Sequence, residues 1–157
     1  MTALTVTPWT WLSVPDGDDR ARGVFNRHYS RRHYKDGRKP RLFVGPGEKM
    51  VLLTQNCQAL FVWRKFISDD GQEGVNCAVF RNEHGGGCIN SQHEHCSSNL
   101  IIRAVELAWQ RWPGERLYTY VDGRKIRSAN PGYCFKRAGW EKCGASKGGL
   151  TILELLP

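Results

Sequence analysis

The sequence predicts an α+β, three-layer domain: one central mixed, mostly antiparallel sheet with helices on both faces. Three observations predict it. Apolar segments follow the order strand, helix, three-strand meander, helix, strand, helix, strand, which is the order of a sheet layered with helices. Two strongly apolar runs, 59–67 and 75–81, are joined by Asp69-Asp70-Gly71-Gln72-Glu73-Gly74, whose Asp-Gly signals a tight antiparallel connection. In the segment after Ser97, Ile101, Val105, Ala108, Trp109 and Trp112 recur at helical spacing. At 157 residues, the chain is long enough for one sizeable core and is read as a single domain, 1–157. It has no internal repeat, low-complexity tract or linker.

Residues 3–14, rich in Thr, Val and Trp, predict a first strand ending at Pro15-Asp16-Gly17. Asp18 or Asp19 caps a helix expected to run to about Tyr34. The basic turn Lys35-Asp36-Gly37-Arg38-Lys39-Pro40 follows, then strands at 50–54, 59–67 and 75–81. Ser97 and Ser98 are natural N-caps for the strongest helix, which Pro113-Gly114 stops. A strand is expected at 117–121, a short helix from Pro131, and a closing strand at 150–155.

The charge balance is 23 Lys and Arg against 15 acids, a net +8, which favours a polyanion such as nucleic acid as partner. No stretch reaches the roughly 18 apolar residues of a membrane span. The N-terminus has neither a basic n-region nor an apolar h-region, so the expected location is the cytoplasm. Six cysteines, Cys57, Cys77, Cys88, Cys96, Cys134 and Cys143, are accordingly expected as reduced thiols or metal ligands.

From 118 to 140 the chain reads Tyr-Thr-Tyr-Val-Asp, then Asn130-Pro131-Gly132-Tyr133, then Ala138-Gly139-Trp140. This strand, short helix and Ala-Gly-Trp turn resemble the C-terminal half of the GNAT acyltransferase fold. Five pieces in order are more specific. They are Phe25-Asn26-Arg27-His28-Tyr29-Ser30-Arg31-Arg32, Phe80-Arg81-Asn82-Glu83, Ser97-Ser98-Asn99-Leu100-Ile101, Tyr120-Val121-Asp122 and Asn130-Pro131-Gly132-Tyr133. Together, over roughly 24–155, they are similar to the Mom DNA-modification proteins of Mu-like bacteriophages. The resemblance implies a GNAT-like transferase, working in the cytoplasm of a phage's host, that converts adenine in DNA to N6-(carbamoylmethyl)adenine and so protects it from restriction. It also implies acetyl-CoA or an iron centre as cofactor.

The residues carry physical readings of their own. Asp122 at a strand end can orient or deprotonate the weakly nucleophilic adenine amine, or it can simply start the next turn. Tyr133 can give a proton to a leaving group or oxyanion, or be a core aromatic. Arg81 can hold a carboxylate or phosphate in a fork, or be an ion-paired surface group. His28 and Tyr29, expected on the first helix beside Arg31 and Arg32, suit a metal ligand or proton carrier; the alternative for His28 is a packed side chain. Ser97 and Ser98 offer a helix N-terminus for the pyrophosphate of CoA or a DNA phosphate, with Asn130 as a further cofactor-binding residue; simple capping is the alternative. The usual GNAT cofactor loop, Arg or Gln with spaced glycines directly before this helix, is missing, because Gly85-Gly86-Gly87 lies too far upstream.

Arg27, Arg31, Arg32, Lys35, Arg38, Lys39 and Arg41, interleaved with Tyr29, Tyr34 and Phe43, form the expected DNA surface. Within a duplex, adenine N6 is paired, so the base must be flipped or the strand melted. The insertion 88–96 carries Cys88, His93, His95 and Cys96, donors that suit zinc or iron; the close His-x-His-Cys spacing fits a tetrahedral site badly and predicts a mobile polar loop instead. Three functions remain: the DNA adenine-modifying enzyme, a CoA-dependent N-acyltransferase on a protein or small-molecule amine, and a nucleic-acid-binding module folded around a metal.

Overall fold

Among the described residues, seven strands form one mixed, mostly antiparallel sheet in the order β1-β2-β3-β4-β5-β7-β6, accompanied by three helices. The computed structural model describes residues 6–28, 40–84, 93–124 and 132–157. β1 (Trp11–Val14), β2 (Glu48–Thr54), β3 (Ala59–Lys65) and β4 (Val75–Asn82) are antiparallel neighbours. Gly71, at φ 78°, takes the left-handed turn expected between β3 and β4. β5 (Leu117–Val121) runs parallel to β4, which requires a crossover, and α2 (Ser97–Arg111) supplies it.

The strand alternation sorts the core. Leu52, Phe61 and Trp63 share a cluster with Leu100, Ile101, Ala104 and Ala108 of α2 and with Phe135 of α3 (Tyr133–Arg137). Val51, Leu53, Leu60 and Val62, the residues in between, pack with Ala21 and Val24 of α1 (Asp19–Asn26). Two tryptophans tie α2 down: Trp11 Nε1 donates to Leu100 O (2.9 Å) and Trp63 Nε1 to Ala104 O (3.0 Å). These carbonyls stand one helical turn apart, so the long axis of α2 is fixed at two points.

Several boundaries differ from expectation. α1 is capped by Asp18, whose Oδ1 accepts from Arg20 N and Ala21 N, but it closes at Asn26 rather than near Tyr34. His28 therefore lies beyond the helix, its N–H bonded to Phe25 O (2.9 Å). The N-cap of α2 is Cys96, so Ser97 and Ser98 are already helical. The short helix α3 starts at Tyr133, after Gly132. The sequence reading has no counterpart for β6 (Glu141–Ala145), which pairs only with β7 (Thr151–Leu155). Its Glu-Lys-Cys-Gly-Ala lacks alternation because an edge strand with mostly exposed residues buries little and gains from charge.

Candidate functional site

The site is built where two parallel strands part. β4 and β5 pair from Val75↔Leu117 to Cys77↔Thr119, and Thr119 Oγ1 donates to Cys77 O (3.0 Å). β4 then continues to Asn82 and β5 to Val121, so their carboxyl ends face the same way at one end of the sheet. In sheets with parallel strands such ends are where ligands bind, since side chains and helix starts converge on a crevice there.

A bulge decides which residues point where. The β3–β4 register shifts between Val62 and Trp63, so Val62 opposes Val79 while Trp63 opposes Cys77. Before the shift, Val75 and Cys77 face α2; after it, Val79 joins the α1 cluster. Arg81, opposite Leu60 and two residues beyond Val79, is carried to the α1 side with it. There it meets the end of α1. Arg27 grips Glu83 as a fork, Nε to Oε2 at 2.6 Å and Nη2 to Oε1 at 2.5 Å, and Arg81 Nε reaches the same Oε2 at 3.1 Å. This lowers the pKa of the Glu83 carboxyl, first through Arg27.

His28 is buried, only 8% exposed, beside this cluster. Desolvation first and the Arg81 charge second push its pKa down to about 4, against a hydrogen bond with the backbone of Phe80. Its imidazole is neutral at physiological pH. His28 is thus the packed side chain of the two alternatives, held neutral.

Asp122 follows β5 and is 9% exposed. Its Oδ1 accepts from Arg124 N (3.0 Å) and Nε (3.2 Å), so it does start the next turn. Tyr133 is 52% exposed, which rules out the core-aromatic alternative; Arg137 approaches its ring at 5.9 Å. Gly132 places the start of α3: a Cβ there would lie 2.7 Å from Leu153 Cδ1 and 3.3 Å from Val121 Cγ2. The residue before Tyr133 thus rests on the residue before Asp122, and both come to the end of β5.

Asn82 is the positioning residue that sequence reasoning missed. Its Nδ2 donates to His95 O (2.8 Å) and contacts Ser97 Oγ (3.2 Å), while its Oδ1 accepts from His84 N (3.1 Å). It pins the end of β4 to the start of α2. Two signals were available: a polar residue closing an apolar strand, and its place in the piece Phe80-Arg81-Asn82-Glu83. Ser97 Oγ is engaged there and Ser98 is buried, so neither hydroxyl is displayed as expected; the N-cap residue Cys96 makes no side-chain capping bond.

Trp9, His84, His93 and His95 form a ring cluster, with His84 and His95 centroids 4.3 Å apart and His93 and His95 5.1 Å apart. Cys96 is disulfide-bonded, a correction to the expectation of reduced thiols or metal ligands, whereas Cys57, Cys77, Cys134 and Cys143 are free. A paired sulfur cannot serve as a thiolate ligand, so Cys96 drops out of the four-donor set; Cys88 lies outside the described residues. Among the described residues no three His, Cys, Asp or Glu side chains form a group that could hold a metal. The described part of the site thus does not fit an iron centre by itself, although neutral His28 is a suitable donor. Tyr29, Asn130, Arg31, Arg32, Lys35, Arg38 and Lys39 also lie outside the described residues. Arg41 is exposed and lies against the Gly17 turn.

No family model, curated protein or solved structure matches this chain. No helix among the described residues is long and apolar enough to cross a membrane.

Proposed function

We propose that this chain is a Mom-like transferase that converts adenine N6 in DNA to N6-(carbamoylmethyl)adenine on a GNAT-like fold. The observation that carries the reading is the assembly of Arg81 and His28 at the end of β4 and of Asp122 and Tyr133 at the end of its parallel neighbour β5. These four residues come from four of the five sequence pieces that carry the resemblance. Support for the fold comes from the antiparallel meander, the helical crossover to a parallel β5, the short helix and the Ala-Gly-Trp turn, and from core clusters that place α1 apart from α2 and α3.

In this reading the exposed Tyr133 hydroxyl donates a proton and Asp122 orients or deprotonates the flipped adenine amine. Arg81 holds an anionic group of a substrate. The chain's own residues position the amine and move its proton.

Nucleoside mass spectrometry of DNA from cells expressing the protein should detect N6-(carbamoylmethyl)adenine. Asp122→Asn and Tyr133→Phe should each reduce it by about a hundredfold or more while the fold persists. Unmodified DNA in expressing cells would overturn the reading, and undiminished modification by both variants would remove these residues from the site. One second reading is a CoA-dependent N-acyltransferase, with the N-terminal end of α2 as the place for its pyrophosphate. Coenzyme A binding without DNA modification would select it.

A further inference from the structure

We infer that Arg27 and Arg81 form an anion site in which Glu83 is a built-in occupant, exchanged for a phosphoryl group when ligand arrives. This deepens the proposed function, on which it rests in taking a DNA phosphate as the source of that group. Two guanidiniums from separate elements, one just past α1 and one on β4, close on the two oxygens of a single carboxylate through hydrogen bonds of 2.6, 2.5 and 3.1 Å. Forked guanidiniums match a phosphate as well as a carboxylate. Two positive charges face one negative charge, and the neutral, buried His28 adds none. A phosphodiester, singly charged like the carboxylate, can take its place on the two guanidiniums once Glu83 swings aside.

The partners differ in exposure. Glu83 is the less exposed, its side chain at 19% against 53% for Arg27 and 33% for Arg81, and its own N–H is held by Gln58 O at 2.7 Å. The arginines are thus the more open partners and the carboxylate the more covered one. A ligand phosphate approaching from solvent meets the guanidiniums first and competes with Glu83 for them. The carboxylate lowers affinity for weak or stray anions, and the two arginines set the affinity for a phosphoryl group that wins the exchange.

Titration calorimetry with inorganic pyrophosphate at low salt tests the site directly. Glu83→Gln should bind it tighter than the unaltered protein by roughly tenfold or more, because a charged competitor has become neutral. Glu83→Asp, too short to bridge both arginines, should gain less and guards against a folding defect in the first variant. The gain should vanish in Glu83→Gln combined with Arg27→Ala and Arg81→Ala. Equal affinity in all single variants, or a gain that survives removal of both arginines, would overturn the inference. Duplex DNA is the second arm: a parallel gain with a steeper salt dependence supports the DNA source. A pyrophosphate gain with no DNA binding upholds the anion site and counts against the DNA reading alone.

Discussion

His28 shows how one side chain acquires its chemistry from its surroundings. In an unfolded chain its imidazole titrates near 6.5; in the fold, desolvation and Arg81 lower that to about 4. Between these two values the unfolded state binds the proton and the folded state does not. The His28 contribution to stability is therefore fully present above pH 6.5 and is lost as the pH falls through about 4. The shift corresponds to roughly 3 kcal/mol. Glu83, whose carboxyl is also lowered by Arg27, loses its own contribution in the same direction at more acid pH. Urea unfolding at pH 7 and pH 4.5 should show a drop that is clearly smaller in His28→Gln than in the unaltered protein. Parallel drops in the two would mean that His28 is not held neutral. The motif around Phe25 to Arg32 singled out this residue, but its burial and its Arg81 neighbour belong to the fold, since Arg81 is 53 positions away along the chain.

At the scale of elements, two small features aim the site. The bulge in β4 turns Arg81 toward α1, and Gly132 lets α3 begin directly against β5. Gly132 has φ 77° and no room for a Cβ, while Gly71, at φ 78°, has nothing within 4 Å. The pair separates backbone strain from steric conflict. Gly71→Ala should cost about 1 kcal/mol, the backbone share alone, and Gly132→Ala clearly more, by roughly another 1–3 kcal/mol from displaced Leu153 and Val121. Chemical denaturation measures both. Equal costs would mean that α3 shifts freely on β5, and the approach of α3 to the end of β5 would lose its anchor. The strands and α2 were legible because burial writes periodicity into sequence: β5 falls at 117–121 as expected, and Ile101, Val105 and Ala108 are buried as their spacing predicts. The bulge was not legible, because one extra residue in an apolar run leaves the composition unchanged. β6 was not legible because it is an edge.

The whole molecule carries a net charge of +8, and the run from Arg27 to Arg41 concentrates it in sequence. If the chain is the proposed DNA-modifying enzyme, that charge should act through phosphates. Changing Arg31, Arg32 and Lys35 together to Ala should weaken binding to all duplex sequences and flatten the salt dependence, by about 0.9 in slope for each phosphate no longer neutralised. Thermal stability should stay nearly unchanged. An unaltered salt slope would move the DNA to another face. Arg27 belongs to a different set: it already holds Glu83, so its contribution to DNA binding should emerge only by exchange.

The sequence by itself determined the class of the domain, most of its strands and helices, the basic character of the chain and the short pieces that carry the proposed chemistry. These are local or additive properties: periodicity, turn residues and charge. Only the tertiary structure decided that β4 and β5 part beyond Cys77 and Thr119, and that the bulge brings Arg81 to Arg27, Glu83 and His28. It also decided that Tyr133 stays exposed and that Cys96 is paired. The strand divergence and the Arg81 cluster depend on residues far apart in the chain meeting across a packed sheet, where register and burial, rather than residue type, set what a side chain can do.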